Sequence, residues 1–305
     1  MMLSGTTSRR NHANPAKIVG GPTHAILLMV AAMAVLTIND AIAKWLTQRL
    51  PVGEVLAVRG ALVVMLAIGW AAARGRLAEL RVHDWRPHLG RGALMAASTF
   101  LFVTSLSLMP IADAIAISFA GPIFGTMLAA LLLGERVGWR RWTAVAVGFA
   151  GVIVMVRPTP EMVRLVALIP LGAALLGALR DVVTRRMGTG GESTLAILVV
   201  STSVVALAGL MTLPFGWVAL NWEDAGLFAG TAVLVGLAQA MMIEALRLGE
   251  VGLVGPFKYT SLVWALLLGA LVWGDLPGPS IWLGSAIVIG SGLYIWRREI
   301  TAKRP

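Results

Sequence analysis

The feature that most constrains this chain is its division into apolar stretches close to bilayer length, separated by short polar gaps. Ten can be placed, at 24–46, 52–73, 91–109, 111–133, 139–156, 162–180, 194–215, 225–246, 252–274 and 280–296. A helix needs about 20 residues to cross the hydrocarbon. In lipid the backbone has no water to bond, so each stretch must satisfy its own N–H and C=O groups as a helix. Strands of a membrane barrel would alternate polar and apolar side chains, and these stretches do not. The expected fold is an all-α integral membrane protein with ten transmembrane helices.

The stretches come in two sets. Leu128–Arg157 holds an apolar run, a Gly134-Glu135 junction, a short basic turn and a second apolar run. Shifted by 140 positions, the plan returns at Leu268–Arg297, where Gly134, Gly138, Trp142 and Arg157 meet Gly274, Gly278, Trp282 and Arg297, and Glu135 meets Asp275. Internal symmetry of this kind is a mark of transporters. Five helices per repeat is an odd number, so the second copy must enter the membrane from the opposite side. The expected organisation is a 5+5 inverted repeat: a disordered cytoplasmic tail at 1–23, a first five-helix repeat at 24–157, a second at 162–297 and a cytoplasmic tail at 298–305.

Composition agrees. Hydrophobic residues make up 58% and charged residues 13%, against about 25% charged in a soluble domain. With no cysteine, disulfides, thiolate metal sites and cysteine nucleophiles are excluded. The +10 net charge would suggest nucleic acid in a soluble protein, but the basic residues sit in short gaps between apolar runs. Counted with the N-terminus inside, nineteen Lys and Arg lie in cytoplasmic regions and three (Arg49, Arg157, Arg164) in outer loops; Lys44, Arg59 and Lys258 fall within helices. This bias places both termini in the cytoplasm.

The two Gly-acid junctions (LLLGERVGWRRW and LVWGDLPGPSIW), Pro122 in helix 4 and the segment NDAIAKWLTQRLPVGEVLAVRG resemble the drug/metabolite transporter superfamily, in its ten-helix bacterial form with two EamA-type domains. The resemblance covers about residues 25–297. It implies a bacterial inner-membrane carrier whose central cavity is lined by helices 1, 3, 4, 6, 8 and 9. Its solute would be a small metabolite such as riboflavin, S-adenosylmethionine or an amino acid. The second junction departs from the family's usual Gly-Glu by carrying Gly274-Asp275.

Ionisable groups inside a membrane are costly and therefore candidates for function. Asp40 and Lys44 share a face of helix 1, near Glu54 and Arg59 at the outer start of helix 2. The four form either a charge network that clips the helices together or an outer gate. Candidate substrate contacts are Asn39, Ser98, Thr99, Phe119, Gln239, Lys258, Tyr259 and Trp264. Asn39 points about 100° away from Asp40. Ser98 and Thr99 also have the option of bonding their own helix backbone. The aromatic residues suit a planar ligand or bundle packing. Lys258 is expected to face the cavity, with an ion pair to Glu244 or Glu250 as the alternative. Glu244 and Arg247 are spaced to pair locally. Glu135 and Asp275 are read as closing turns between paired helices.

Rival classes have less to work with. No catalytic residue stands out: all four histidines lie in the tail, at a helix end or in the loop after helix 2, and GxSxG and HExxH are absent. The phosphate-cradling GxxxxGK[ST] of nucleotide-driven pumps is absent too. A non-transporting scaffold and an intramembrane enzyme are the alternatives. No cofactor or metal is expected. The partners are the bilayer and one small-molecule substrate, not nucleic acid, and a homodimer is compatible with the sequence.

Overall fold

The computed structural model describes residues 21–108, 117–156 and 165–264, apart from 48 and 136, with scattered positions between 267 and 297. The helices are α1 Pro22–Thr47, α2 Val52–Ala73, α3 Trp85–Leu108, α4 Gly121–Leu133, α5 Trp139–Val156, α6 Leu168–Thr189, α7 Thr194–Leu210, α8 Trp222–Leu248 and α9 Val251–Val254. α9 runs on through a tighter turn, Gly255–Tyr259, and helical residues 260–264. Further on lies a short apolar helix, α10, Trp282–Ser291. The second Gly-acid junction falls outside the described residues.

Among the described residues four helices are long and apolar enough to cross a bilayer: α1, α2, α7 with its continuation to Phe215, and α8. Their surfaces are those of lipid-facing helices. Met65, Leu66, Leu207 and Val233 are exposed in mid-helix, where a water-soluble protein would place polar side chains. Trp45, Trp70, Trp85, Trp139, Trp142, Trp222 and Trp282 are exposed at or near helix ends, the level at which indoles settle between headgroup and acyl chain.

Local chemistry fixes the helix ends. Ser193 accepts a hydrogen bond from the Ala196 amide at 2.9 Å and starts α7. Asn221 and Asp224 exchange bonds with each other's backbone amides (2.9 and 2.7 Å), a capping box at the start of α8. α4 ends at Gly134, whose φ of 67° lies in the left-handed region that closes helices at glycine.

α1 lies along α8, α3 along α6 and α2 along α7, while α3 also touches α7, α2 touches α8 and α4 touches both α6 and α9. The α2–α7 contact is the tightest. A Cβ placed on Gly209 would come within 2.5 Å of the Gly53 carbonyl oxygen and 2.8 Å of the Ala57 amide nitrogen. The largest buried cluster joins Ala25, Met29 and Met33 of α1 to Met242 and Leu246 of α8 and to Val251 and Val254 of α9.

Candidate functional site

The most concentrated buried charge belongs to α3, α6 and the turn after α9. Asp181 on α6 is 4% exposed. It accepts hydrogen bonds from Lys258 Nζ and from Arg180 Nη2 at 3.0 Å. Arg91 of α3, 2% exposed, donates from Nε to Thr184 Oγ1 at 2.7 Å, and Thr184 donates in turn to the Arg180 carbonyl at 2.7 Å. By helical rise Arg91 is about 9 Å from the start of α3 and Asp181 about 12 Å from the end of α6, so the group sits inside the bundle.

Lys258 therefore does not pair with Glu244 or Glu250, the partners the sequence offered. Glu244 is held by Thr194 and by Arg247, the latter at 2.8 Å, which is the local pair expected. Glu250 is held by Arg141. Asp181 was missed because the apolar run ends at residue 180, while α6 continues nine residues further, to Thr189. Arg91 and Arg180 look like loop charges for the same reason: polar residues near helix ends resemble those of the loops between them.

Several buried polar groups are short of partners, one of them on the residue after Lys258. Tyr259 is fully buried and its hydroxyl has no hydrogen-bond partner. Its ring lies against Gly148 of α5 and meets Phe119 edge-on, with centroids 5.6 Å apart at 64°. Trp264 Nε1, Gln239 Oε1 and Asn39 Oδ1 are likewise buried without a partner. An unmet buried polar group costs about 1–3 kcal/mol; these four are among the residues the sequence singled out, and His88, Glu192, Ser201 and Arg247 carry such atoms as well. Ser98 and Thr99, by contrast, both donate to the Met95 carbonyl, at 3.0 and 2.8 Å, the backbone bonding that was their alternative.

A small cleft of about 30 Å³ opens between α2, α3, α7 and α8, lined by Arg59, Met95, Thr202 and Gln239 among others. The four-residue charge network expected at the outer end of α1 and α2 is not assembled as drawn. Asp40 accepts from Asn39 Nδ2 at 3.1 Å and interacts electrostatically with Arg59. Glu54 instead accepts the Val218 amide at 3.0 Å, because the chain between α7 and α8 folds back over it. The Lys44 side chain lies outside the described residues. At this end Arg49 bridges to Asp224.

The opposite end is also cross-linked. Glu135 does not close its own turn but accepts the amides of Val251 and Gly252, both at 3.1 Å, capping the start of α9. Arg185 and Arg186 donate to the last carbonyls of α8 and α4, where basic side chains are favoured. Among the described residues no cluster of three His, Asp or Glu side chains is placed to hold a metal ion.

Glu192, between α6 and α7, accepts the His83 and Asp84 amides at 3.0 and 3.3 Å and lies 3.1 Å from buried His88 Nε2. Burial opposes its charge, but His88 close by and then the bonds from the two amides outweigh burial and hold its carboxyl below the ordinary 4.5. A depressed carboxylate stabilises the fold fully above its unfolded value and loses that contribution as pH falls through the folded one. Glu192→Gln is expected to lower Tm at neutral pH by a few degrees, about 1–3 kcal/mol. The gap to wild type should close as pH falls below 4.5, and thermal melts in detergent across pH would check it.

Comparison with known proteins agrees with this architecture. The model of the EamA-like transporter family matches residues 23–157. The chain is 30% identical to a riboflavin transporter of Rhizobium johnstonii, over 95% of this chain and 98% of that protein. It is 27% identical to a riboflavin transporter of Vibrio cholerae (93% and 96%) and 27% identical to an S-adenosylmethionine uptake transporter of Rickettsia prowazekii (89% and 92%). A crystal structure at 22% identity superposes with a TM-score of 0.78 over 89% of this chain and 96% of the other, showing the same fold. Fold and relatives together define a multi-pass membrane transporter of small metabolites, not an enzyme. The chain belongs to the EamA-like transporter family, within the drug/metabolite transporter superfamily.

Proposed function

We propose that the protein is a secondary carrier of ten helices in a 5+5 inverted repeat, with both termini in the cytoplasm. It moves a heteroaromatic metabolite of the riboflavin or S-adenosylmethionine kind by alternating access. The observation that carries this reading is the set of unpartnered buried polar atoms shared by the two repeats, on Asn39 in one and on Gln239, Tyr259 and Trp264 in the other. Helix packing supports the inverted repeat. Exchanging each helix for the one five later turns the α1–α8 contact into α6–α3, α2–α8 into α7–α3 and α4–α6 into α9–α1, all of which are present. In such carriers the solute binds between the repeats near mid-membrane.

The test is flux. Purified protein in proteoliposomes should give saturable uptake of riboflavin or S-adenosylmethionine that each unlabelled solute competes for. Absence of flux for both, with intact folded protein, would favour the scaffold. Orientation is checked separately on the cysteine-free background: a cysteine at Gly75 should react with impermeant maleimide only from the cytoplasm, and one at Gly216 only from outside. The reverse pattern would overturn the assignment.

A further inference from the structure

The buried charge of α3, α6 and the turn after α9 does not balance. Among the described residues Arg91, Arg180 and Lys258 face one carboxylate, Asp181. The other described carboxylates near this end are committed elsewhere: Glu135 to the α9 amides, Glu192 to the His83 and Asp84 amides, Glu244 to Thr194 and Arg247, Glu250 to Arg141. Arg91 spends its Nε on a neutral hydroxyl and reaches the Met95 sulfur only at 4.0 Å. Uncompensated charges taken out of water cost several kcal/mol each, so a second anion has much to gain here. The group is also reachable, since the Lys258 and Arg180 side chains keep 20% and 14% of their surface open.

We propose that Arg91, Arg180 and Lys258 form an anion subsite that takes a phosphate or carboxylate group of the transported solute, with Asp181 as its built-in placeholder. In the empty carrier Asp181 holds Lys258 and Arg180. An incoming oxyanion competes with it, and the guanidinium groups offer the forked donors that suit phosphate and carboxylate. The heteroaromatic part of the solute then falls toward Tyr259, next to Lys258 in the chain, and Phe119, which meets Tyr259 edge-on. This rests on the carrier reading above and narrows it to solutes bearing an anionic group.

The experiment is ligand-induced thermal shift on the full-length protein in detergent, with sodium phosphate against sodium chloride at equal ionic strength and pH. Phosphate should raise Tm of the wild type, because a ligand of the folded state stabilises it. The shift should grow in Asp181→Asn, where the competitor is gone, and vanish in Lys258→Met/Arg180→Gln. If Asp181→Asn folds only when prepared in phosphate, that dependence meets the same expectation. If it folds in neither salt, the wild type and the double variant decide. Riboflavin 5′-phosphate should also bind the wild type about tenfold or more tighter than riboflavin. Equal binding of the two flavins, or a phosphate shift that survives loss of Lys258 and Arg180, would overturn the subsite. Flux of an uncharged solute without any phosphate effect would remove this inference and leave the carrier standing. Phosphate binding without flux would do the reverse.

Discussion

Gly209→Leu should leave little or no folded protein, read as loss of the monodisperse peak in size-exclusion chromatography. The new Cβ would need to occupy space 2.5 Å from the Gly53 carbonyl oxygen and 2.8 Å from the Ala57 amide. Both are α2 backbone, so no side chain can swing away, and α2 must separate from α7 along its length. We expect a cost on the order of 4 kcal/mol or more, in the range kept for overpacked or disrupted cores. Gly209→Ala should show an intermediate loss, since the same Cβ is already present. Gly226→Leu on α8, with nothing within 4 Å of its Cβ position, should behave like wild type. If Gly209→Leu folds normally, the close approach of the two helices is wrong.

Lys258→Met should abolish uptake in proteoliposomes, or reduce it about a hundredfold, while membrane expression and Tm stay near wild type. A buried ion pair broken on one side is usually destabilising by about 3–5 kcal/mol. Here Asp181 keeps Arg180 at 3.0 Å, and the variant removes one of three mutually repelling cations. The fold therefore loses less than the site does. Normal uptake would remove Lys258 from the binding site. A misfolded variant rescued by Asp181→Asn would show that the pair is structural.

Most of the helical plan could be read from the sequence, because lipid leaves a helix only one way to bond its backbone and the apolar runs mark it. The runs at 52–73 and 194–215 correspond closely to α2 and to α7 with its continuation. The ends were less legible. Hydropathy records where the hydrocarbon stops, but a helix does not stop there. α3 begins at Trp85 rather than 91, and α6 ends at Thr189 rather than 180. Those extra turns carry His88, Asp181 and Thr184, and Arg91 stands at the edge of its run, so the buried pairings were hidden in what looked like cytoplasmic loop. Lys258 was singled out because a lysine inside an apolar run is conspicuous. Its partner was not, because Asp181 sits beside arginines that look like ordinary topology charges. Glu54 shows the opposite error: proximity in sequence suggested Arg59, yet the carboxylate was claimed by a backbone amide 164 residues away.

The segment from Val251 to Tyr259 joins two features that have so far stood apart. One end presents the amides that Glu135 holds, and the other carries Lys258. Four residues of α-helix and five of tighter turn make a segment of roughly 16 Å, buried nearly throughout. A displacement of Lys258 that moved this segment as one body would also strain Glu135's hold on its first amides. Solute occupancy should register at the far end, as a change in hydrogen-exchange protection of the Val251 and Gly252 amides.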